Sequence, residues 1–170
     1  YLIGKYPDLS VTVRASAESD IKDIRAKRIF FGEECFFDIR EDILFLSPSA
    51  RRDVPKLIEA SARGVILSSD TEFFFSLSDS DVYAVTGSDG KTTVSTLISK
   101  ILEKSNNTYL GGNIGYPLIN YVGKLKENDF LVSELSSFQL YDMTPHLDCS
   151  VITNITPNHL DVHRSFDEYV

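Results

Sequence analysis

The chain is 170 residues long, with 42% hydrophobic and 25% charged side chains. That is globular composition with enough apolar material for one large core or two small ones, and it excludes collagenous, low-complexity and disulfide-stapled chains. Seventeen basic residues against 25 acidic ones give a formal net charge of −8. Neither half has a basic surplus, which argues against nonspecific nucleic-acid binding, so any phosphate ligand must be held locally by backbone amides, one or two cations and a metal.

No apolar run approaches membrane-spanning length, and no charged-then-apolar leader is visible. The first residue is Tyr1 rather than Met, so the chain is expected to be a stretch of a longer product. Cys35 and Cys149 lie far apart and form no CxxC, which predicts two buried or partly buried thiols in a reducing cytosol.

In chain order, residues 11–14 read as a strand, 19–25 as a short helix, and 28–31 and 43–46 as strands. Residues 54–63 form a helix closed by Gly64, followed by a strand at 65–68 and a helix over 71–77 capped by Asp70 or Thr71. This β–α–β alternation predicts a Rossmann-like parallel sheet. Arg51 and Arg52 read as a solvated helix lead-in and Phe73–Phe75 as core packing. The small polar stretch 76–81 marks a boundary, giving domains over 1–79 and 80–170.

After the boundary the pattern restarts with a strand at 82–85 and a helix over 91–104. Apolar residues Val94, Leu97, Ile98, Ile101 and Leu102 predict one buried helix face. Strands follow at 130–134 and 150–155. The junction reads VYAVTGSDGKTT, a hydrophobic strand running through a glycine turn into an amphipathic helix. Such a helix start has unpaired N–H groups and partial positive charge, which suit a polyphosphate. Gly87 and Gly90 let the backbone approach it, Lys91 reaches β/γ-phosphates, and the Thr92 hydroxyl is a Mg²⁺ ligand. The pattern GxxxxGK(S/T) is met only in part, because Val85 stands in place of the first glycine.

Downstream, Glu134 ends its strand where parallel sheets place ligand sites, as a Mg²⁺ ligand or simply a strand-end acid. His159 follows another apolar strand toward the same edge, and Asp161 and His163 share its turn. HLDVH is not the HExxH zinc pattern. GGNIG surrounds Asn113, and in SSFQL the side chains of Ser136, Ser137 and Gln139 either read a substrate or cap a helix.

VTGSDGKTT, GGNIG, ELSSFQL and NITPNHLDVH, in this order, resemble the Mur ligase family of ATP-dependent amide ligases, and within it the branch that adds D-glutamate to UDP-N-acetylmuramoyl-L-alanine. The family's phosphate loop, usually TG(T/S)NGK(S/T)T, also lacks the first glycine. The resemblance extends upstream through LSPS at 46–49.

It implies an α/β protein with a Rossmann-like UDP-substrate domain over 1–79, followed by the first half of a P-loop ATPase domain over 80–170. It further implies a cytoplasmic enzyme of peptidoglycan synthesis that uses ATP and Mg²⁺ and proceeds through an acyl phosphate. Gly87, Ser88, Asp89, Gly90, Lys91, Thr92 and Thr93 would bind the nucleotide. Thr92 and Glu134 would serve one Mg²⁺ and His159 a second, with Lys91 and His159 as catalytic groups. Asn113 and Gln139 would contact the UDP-muramoyl substrate and Ser47 its pyrophosphate.

Departures from the family pattern are Asp89 for asparagine, which is harmless if its side chain turns away to cap the helix, Asn158 for an acid, Ser49 for glycine, and a poor match at 14–16. The first strand is expected before Tyr1 and the family's carbamylated lysine beyond Val170, so the bare chain is expected to be inactive. The competing readings are a related Mur or folylpolyglutamate ligase and a non-catalytic nucleotide-binding module.

Overall fold

The computed structural model describes residues 2–15, 26–48, 50–78, 80–141 and 143–170, so the helix expected over 19–25 and Ser49 lie outside the described residues. The chain divides into two compact units, Tyr1–Ser69 and Asp70–Val170.

In the first unit a short helix α1 (Leu2–Lys5) precedes β1 (Thr12–Ala15), which pairs in parallel with β2 (Arg28–Phe31) from Thr12↔Arg28 to Ala15↔Phe31. A 3₁₀ turn over Gly32–Phe36, which the sequence pattern does not signal, follows β2. Strand β3 (Ile43–Phe45), helix α2 (Pro55–Ala62) and strand β4 (Ile66–Ser68) make a βαβ unit with β3 and β4 parallel. The parallel pairing agrees with expectation. Among the described residues, however, the four strands form two separate pairs and not one continuous sheet.

Helix α2 starts on Pro55, whose missing N–H costs nothing in the first turn. It ends as expected on Gly64, at φ 97°. The Gly64 amide donates to Ser61 O at 2.9 Å and the Val65 amide to Ala60 O at 3.1 Å, the paired bonds of a Schellman cap. Leu57 and Ala60 of α2 pack with Ile39, Leu44 and Leu46 to form this unit's core. Arg51 is ion-paired to Asp53 and Arg52 donates to the Leu67 carbonyl, so neither belongs to a loose basic patch.

The second unit opens with α3 (Asp70–Phe75). Asp70 is the helix's first residue and not a cap outside it. Phe74 is fully buried and meets Phe75 edge to face, as core packing. Because Phe74 joins the core of the second unit, the contact boundary falls at 69/70, ten residues before the expected boundary at 79/80.

Four parallel strands follow, β5 (Asp81–Thr86), β6 (Thr108–Gly112), β7 (Phe130–Glu134) and β8 (Cys149–Ile152), in the spatial order β6–β7–β5–β8. The central strands read as nearly continuous apolar runs because parallel sheets bury both faces. The chain leaves β5 for β6 on one side and later adds β8 on the other. This order reversal opens a crevice beyond the carboxyl end of β5. Register brings Val85 beside Glu134, Glu134 beside Gly112, and Thr86 beside Ile152.

Helix α4 (Lys91–Leu102) packs on β5, β6 and β7, and of the expected apolar stripe Val94, Ile98 and Leu102 are half-buried. Ser95 and Ser99 are its buried residues, while Leu97 is 55% and Ile101 65% exposed. Small side chains let the helix axis approach the sheet, and that rotates the apolar stripe partly outward. Cys149 is also exposed, on edge strand β8, against the expectation of burial. No helix among the described residues is long and apolar enough to cross a membrane.

Candidate functional site

Strand β5 runs through Thr86 into the turn Gly87, Ser88, Asp89, Gly90, and α4 begins at Lys91. Gly90 is left-handed at φ 80° with open space where a Cβ would go, so the backbone conformation, not crowding, demands glycine. No side chain caps α4.

Gly87 has a further reason to be glycine besides its positive φ of 127°. A Cβ there would lie 2.2 Å from Thr153 Oγ1 and 2.8 Å from Asn154 O, so the segment behind the loop also requires glycine. That segment, which follows β8, grips the loop. The Ser88 amide donates to Asn154 O at 3.0 Å, the Asp89 amide to Asn154 Oδ1 at 3.1 Å, and Asn154 Nδ2 to Asp89 O at 2.8 Å. Thr153 Oγ1 also donates to Asp89 O, at 2.7 Å. Ser88 Oγ is bonded to both backbone groups of Thr156 and lies 2.7 Å from Tyr169 Oη. The loop is therefore held in shape by the protein, with Ser88 and Asp89 engaged in that task. The amides left for an anion run from Gly90 through Thr93 into the first turn of α4.

Asp89 does not cap α4. Its carboxylate approaches the Thr156 hydroxyl instead, at 3.5 Å, which turns its charge toward the backing segment. Lys91 Nζ donates to the carbonyls of Gly87 and Ser88 at 2.7 and 2.8 Å, which lays the ammonium over the loop.

Glu134 ends β7 with 2% of its surface exposed. Thr92 Oγ1 donates to its Oε2 at 2.8 Å, and Asn113 Nδ2 to its Oε1 at 2.9 Å. No Lys or Arg pairs with it among the described residues. A buried carboxylate without a cation is costly, and the hydroxyl beside it adds a second hard-oxygen donor of the kind Mg²⁺ prefers. Thr92 and Glu134 thus offer two oxygens that fit part of that ion's shell.

Gln139 is committed to a capping box. Its Oε1 accepts from the Ser136 amide and hydroxyl, its own amide donates to Ser136 Oγ, and its Nε2 donates to Thr71 Oγ1. Of the two readings of SSFQL, capping of α5 (Ser137–Leu140) is the one observed.

His159 is exposed and left-handed, at φ 52°, with its amide donating to Asn158 Oδ1 and its ring 5.0 Å from that of Phe138. Among the described residues no three His, Cys, Asp or Glu side chains converge, so His159 and Glu134 do not form a ready-made metal cage. His163, given no role by its sequence context, is buried. It stacks on Phe138 at 5.4 Å and lies with Nε2 3.0 Å from Ser137 Oγ. A cleft of about 340 Å³ lies between Thr86, Gly87, Ser137, His163 and Tyr169. Tyr169 belongs to the closing helix α6 (Phe166–Tyr169). Ser47, in the first unit, is exposed just after β3, and its carbonyl accepts from Ala50.

A family model described as the Mur ligase middle domain matches residues 85–170, just over half of the chain. The chain belongs to the Mur ligase family. Relatives named UDP-N-acetylmuramoylalanine–D-glutamate ligase include the protein of Acetivibrio thermocellus, 49% identical over 76% of this chain and 28% of its own length. The protein of Ruminiclostridium cellulolyticum is 50% identical over the same shares. That of Clostridium beijerinckii is 38% identical over 99% of this chain and 39% of its own length. The Mur ligase chain thus spans between about a quarter and two fifths of the relatives it matches. The family match runs from Val85 and takes in the gripped loop, Glu134 and both turn histidines.

Proposed function

We propose that this chain supplies the nucleotide site, and part of the UDP-substrate domain, of an ATP-dependent ligase that joins D-glutamate to UDP-N-acetylmuramoyl-L-alanine in peptidoglycan synthesis. The observation that carries the nucleotide half is the hydroxyl–carboxylate pair Thr92–Glu134 beside an uncapped helix start and Lys91. The acceptor and the amino acid rest on the name borne by the relatives.

In this reading residues 1–79 belong to the UDP-substrate domain and 80–170 to the ATPase domain. The first-turn amides of α4 and Lys91 hold the β/γ-phosphates, and Thr92 and Glu134 hold Mg²⁺. Bound Mg²⁺ offsets phosphate charge, so that an anionic carboxylate can accept the γ-phosphoryl group and form the acyl phosphate. The amine of D-glutamate then attacks the acyl carbon and phosphate leaves. Lys91 lowers the charge repulsion between the two anionic reactants. His159 would serve a second Mg²⁺, as the family resemblance implies. Gln139 meets the muramoyl substrate by exchanging its bond to Thr71, and Ser47 meets the pyrophosphate. Two free thiols, one exposed, suit the cytoplasm.

Calorimetry with Mg-ATP tests the nucleotide half. Lys91→Ala is expected to weaken binding by about 10- to 100-fold, the scale of a charge-assisted contact, and unchanged affinity overturns the assignment. Phosphate release by the protein of the complete reading frame should require ATP, UDP-N-acetylmuramoyl-L-alanine and D-glutamate together. Equal turnover with L-glutamate on a folate acceptor would favour the folylpolyglutamate reading. The 170-residue chain is expected to bind nucleotide without turnover.

A further inference from the structure

Asn113 touches Glu134 twice. Its backbone amide donates to Glu134 O at 2.8 Å and its Nδ2 to Glu134 Oε1 at 2.9 Å. The approach is possible because Gly112, at φ 104°, has no Cβ. One there would lie 2.2 Å from Glu134 O and 3.0 Å from Ser133 Oγ. Strand β6 therefore ends in a Gly-Asn pair pressed against the end of β7, in register with Glu134.

The carboxylate has two oxygens with different partners. Oε2 meets the hydroxyl of Thr92, and Oε1 meets Asn113. A primary amide is a neutral donor. It satisfies one oxygen and fixes the plane of the carboxylate, yet brings no positive charge of its own. A lysine or arginine in the same spot would cancel that charge and compete with an incoming cation. Among the described residues nothing donates to the Asn113 side-chain oxygen.

We infer that Asn113 is a positioning residue for Glu134. It holds Oε1 so that Oε2 and the Thr92 hydroxyl face one cation. This rests on the proposed nucleotide site, and it gives Asn113 a task separate from contact with the muramoyl substrate.

The test is calorimetry of the 170-residue chain with ATP in two arms, one with Mn²⁺ as the probe cation and one with EDTA. Asn113→Leu keeps the volume and removes the donor. It should weaken Mn-ATP binding by about tenfold or more, the usual cost of losing an outer-shell partner of a metal ligand, and leave metal-free ATP binding unchanged. Equal Mn-ATP affinity in wild type and Asn113→Leu overturns the inference and leaves the nucleotide site standing. So does an equal loss in both arms, which would mark a merely structural residue. A wild-type chain that binds ATP in neither arm removes the nucleotide site and this inference with it. Asn113→Gln, which restores an amide on a longer arm, should recover part of the Mn-dependent affinity if the donor is what matters.

Discussion

Arg14 shows how much one side chain organises in the first unit. Its guanidinium is nearly sealed from solvent, donates to the carbonyls of Cys35, Phe37 and Asp38, and lies 4.4 Å from the ring of Phe30. It also forms a 2.9 Å ion pair with Glu41. The residue that stands where uracil contacts are expected thus pins the turn after β2. Desolvation pushes the Glu41 carboxyl upward, but the bonds from Thr12 and Arg14 and from the backbone amides of Glu41 and Arg40 outweigh it, so its pKa is held below the ordinary value. A carboxylate whose folded pKa is lowered contributes stability above its unfolded pKa of about 4.3 and loses it as pH falls through the folded value. Glu41→Gln should therefore cost about 1–3 kcal/mol at pH 7, from the lost charge-assisted bonds, and distinctly less at pH 3. Urea midpoints read from amide NMR signals of residues 26–48 check this. A cost that did not change with pH would mean that the charge of Glu41 contributes nothing.

At the scale of single elements, the glycines separate conformational need from steric need. Nothing lies within 4 Å of a Cβ built on Gly64, yet its φ is 97°. Gly64→Ala should then destabilise the first unit by about 1 kcal/mol through backbone conformation alone. Gly64→Asn should cost less, because asparagine tolerates the left-handed region. Urea titrations of the three proteins decide it, and equal losses for Ala and Asn would point to packing instead.

The sequence made β2 and β7 legible to the residue, because each is an apolar run ended by a turn or a charge. The Gly64 stop was legible for the same kind of reason, a glycine after a periodic helix. The stripe on α4 misled at Leu97 and Ile101, since periodicity reports where apolar residues lie and not how close the sheet lets the helix come, and Ser95 and Ser99 settle that. Ser136 and Gln139 have the spacing of a capping box, but the same polar pair also suits a substrate. The grip of Asn154 on the loop spans 65 positions, and the bond from Asn113 to Glu134 spans 21. Both depend on strand order, which local pattern does not carry.

Across the whole molecule, every side chain placed around the candidate nucleotide site lies in the second unit, from Thr71 behind Gln139 to Tyr169 beside Ser88. Each unit has its own core, with Leu57 fully buried in the first and Leu131 in the second. Leu131 sits on β7 three residues before Glu134, between β5 and β6, so a cavity there loosens the strand that carries the carboxylate. Either leucine replaced by alanine should cost about 2–5 kcal/mol in the unit that holds it. The consequences for function should differ. Leu131→Ala is expected to lower Mg-ATP affinity, because Glu134, the Asn113 bond and the loop are all fixed by that sheet. Leu57→Ala should leave Mg-ATP affinity at the wild-type value while the first unit's amide signals lose their protection from exchange. Calorimetry beside hydrogen exchange on the two variants reads both effects. Loss of nucleotide binding in Leu57→Ala would show that the first unit is needed to build the site.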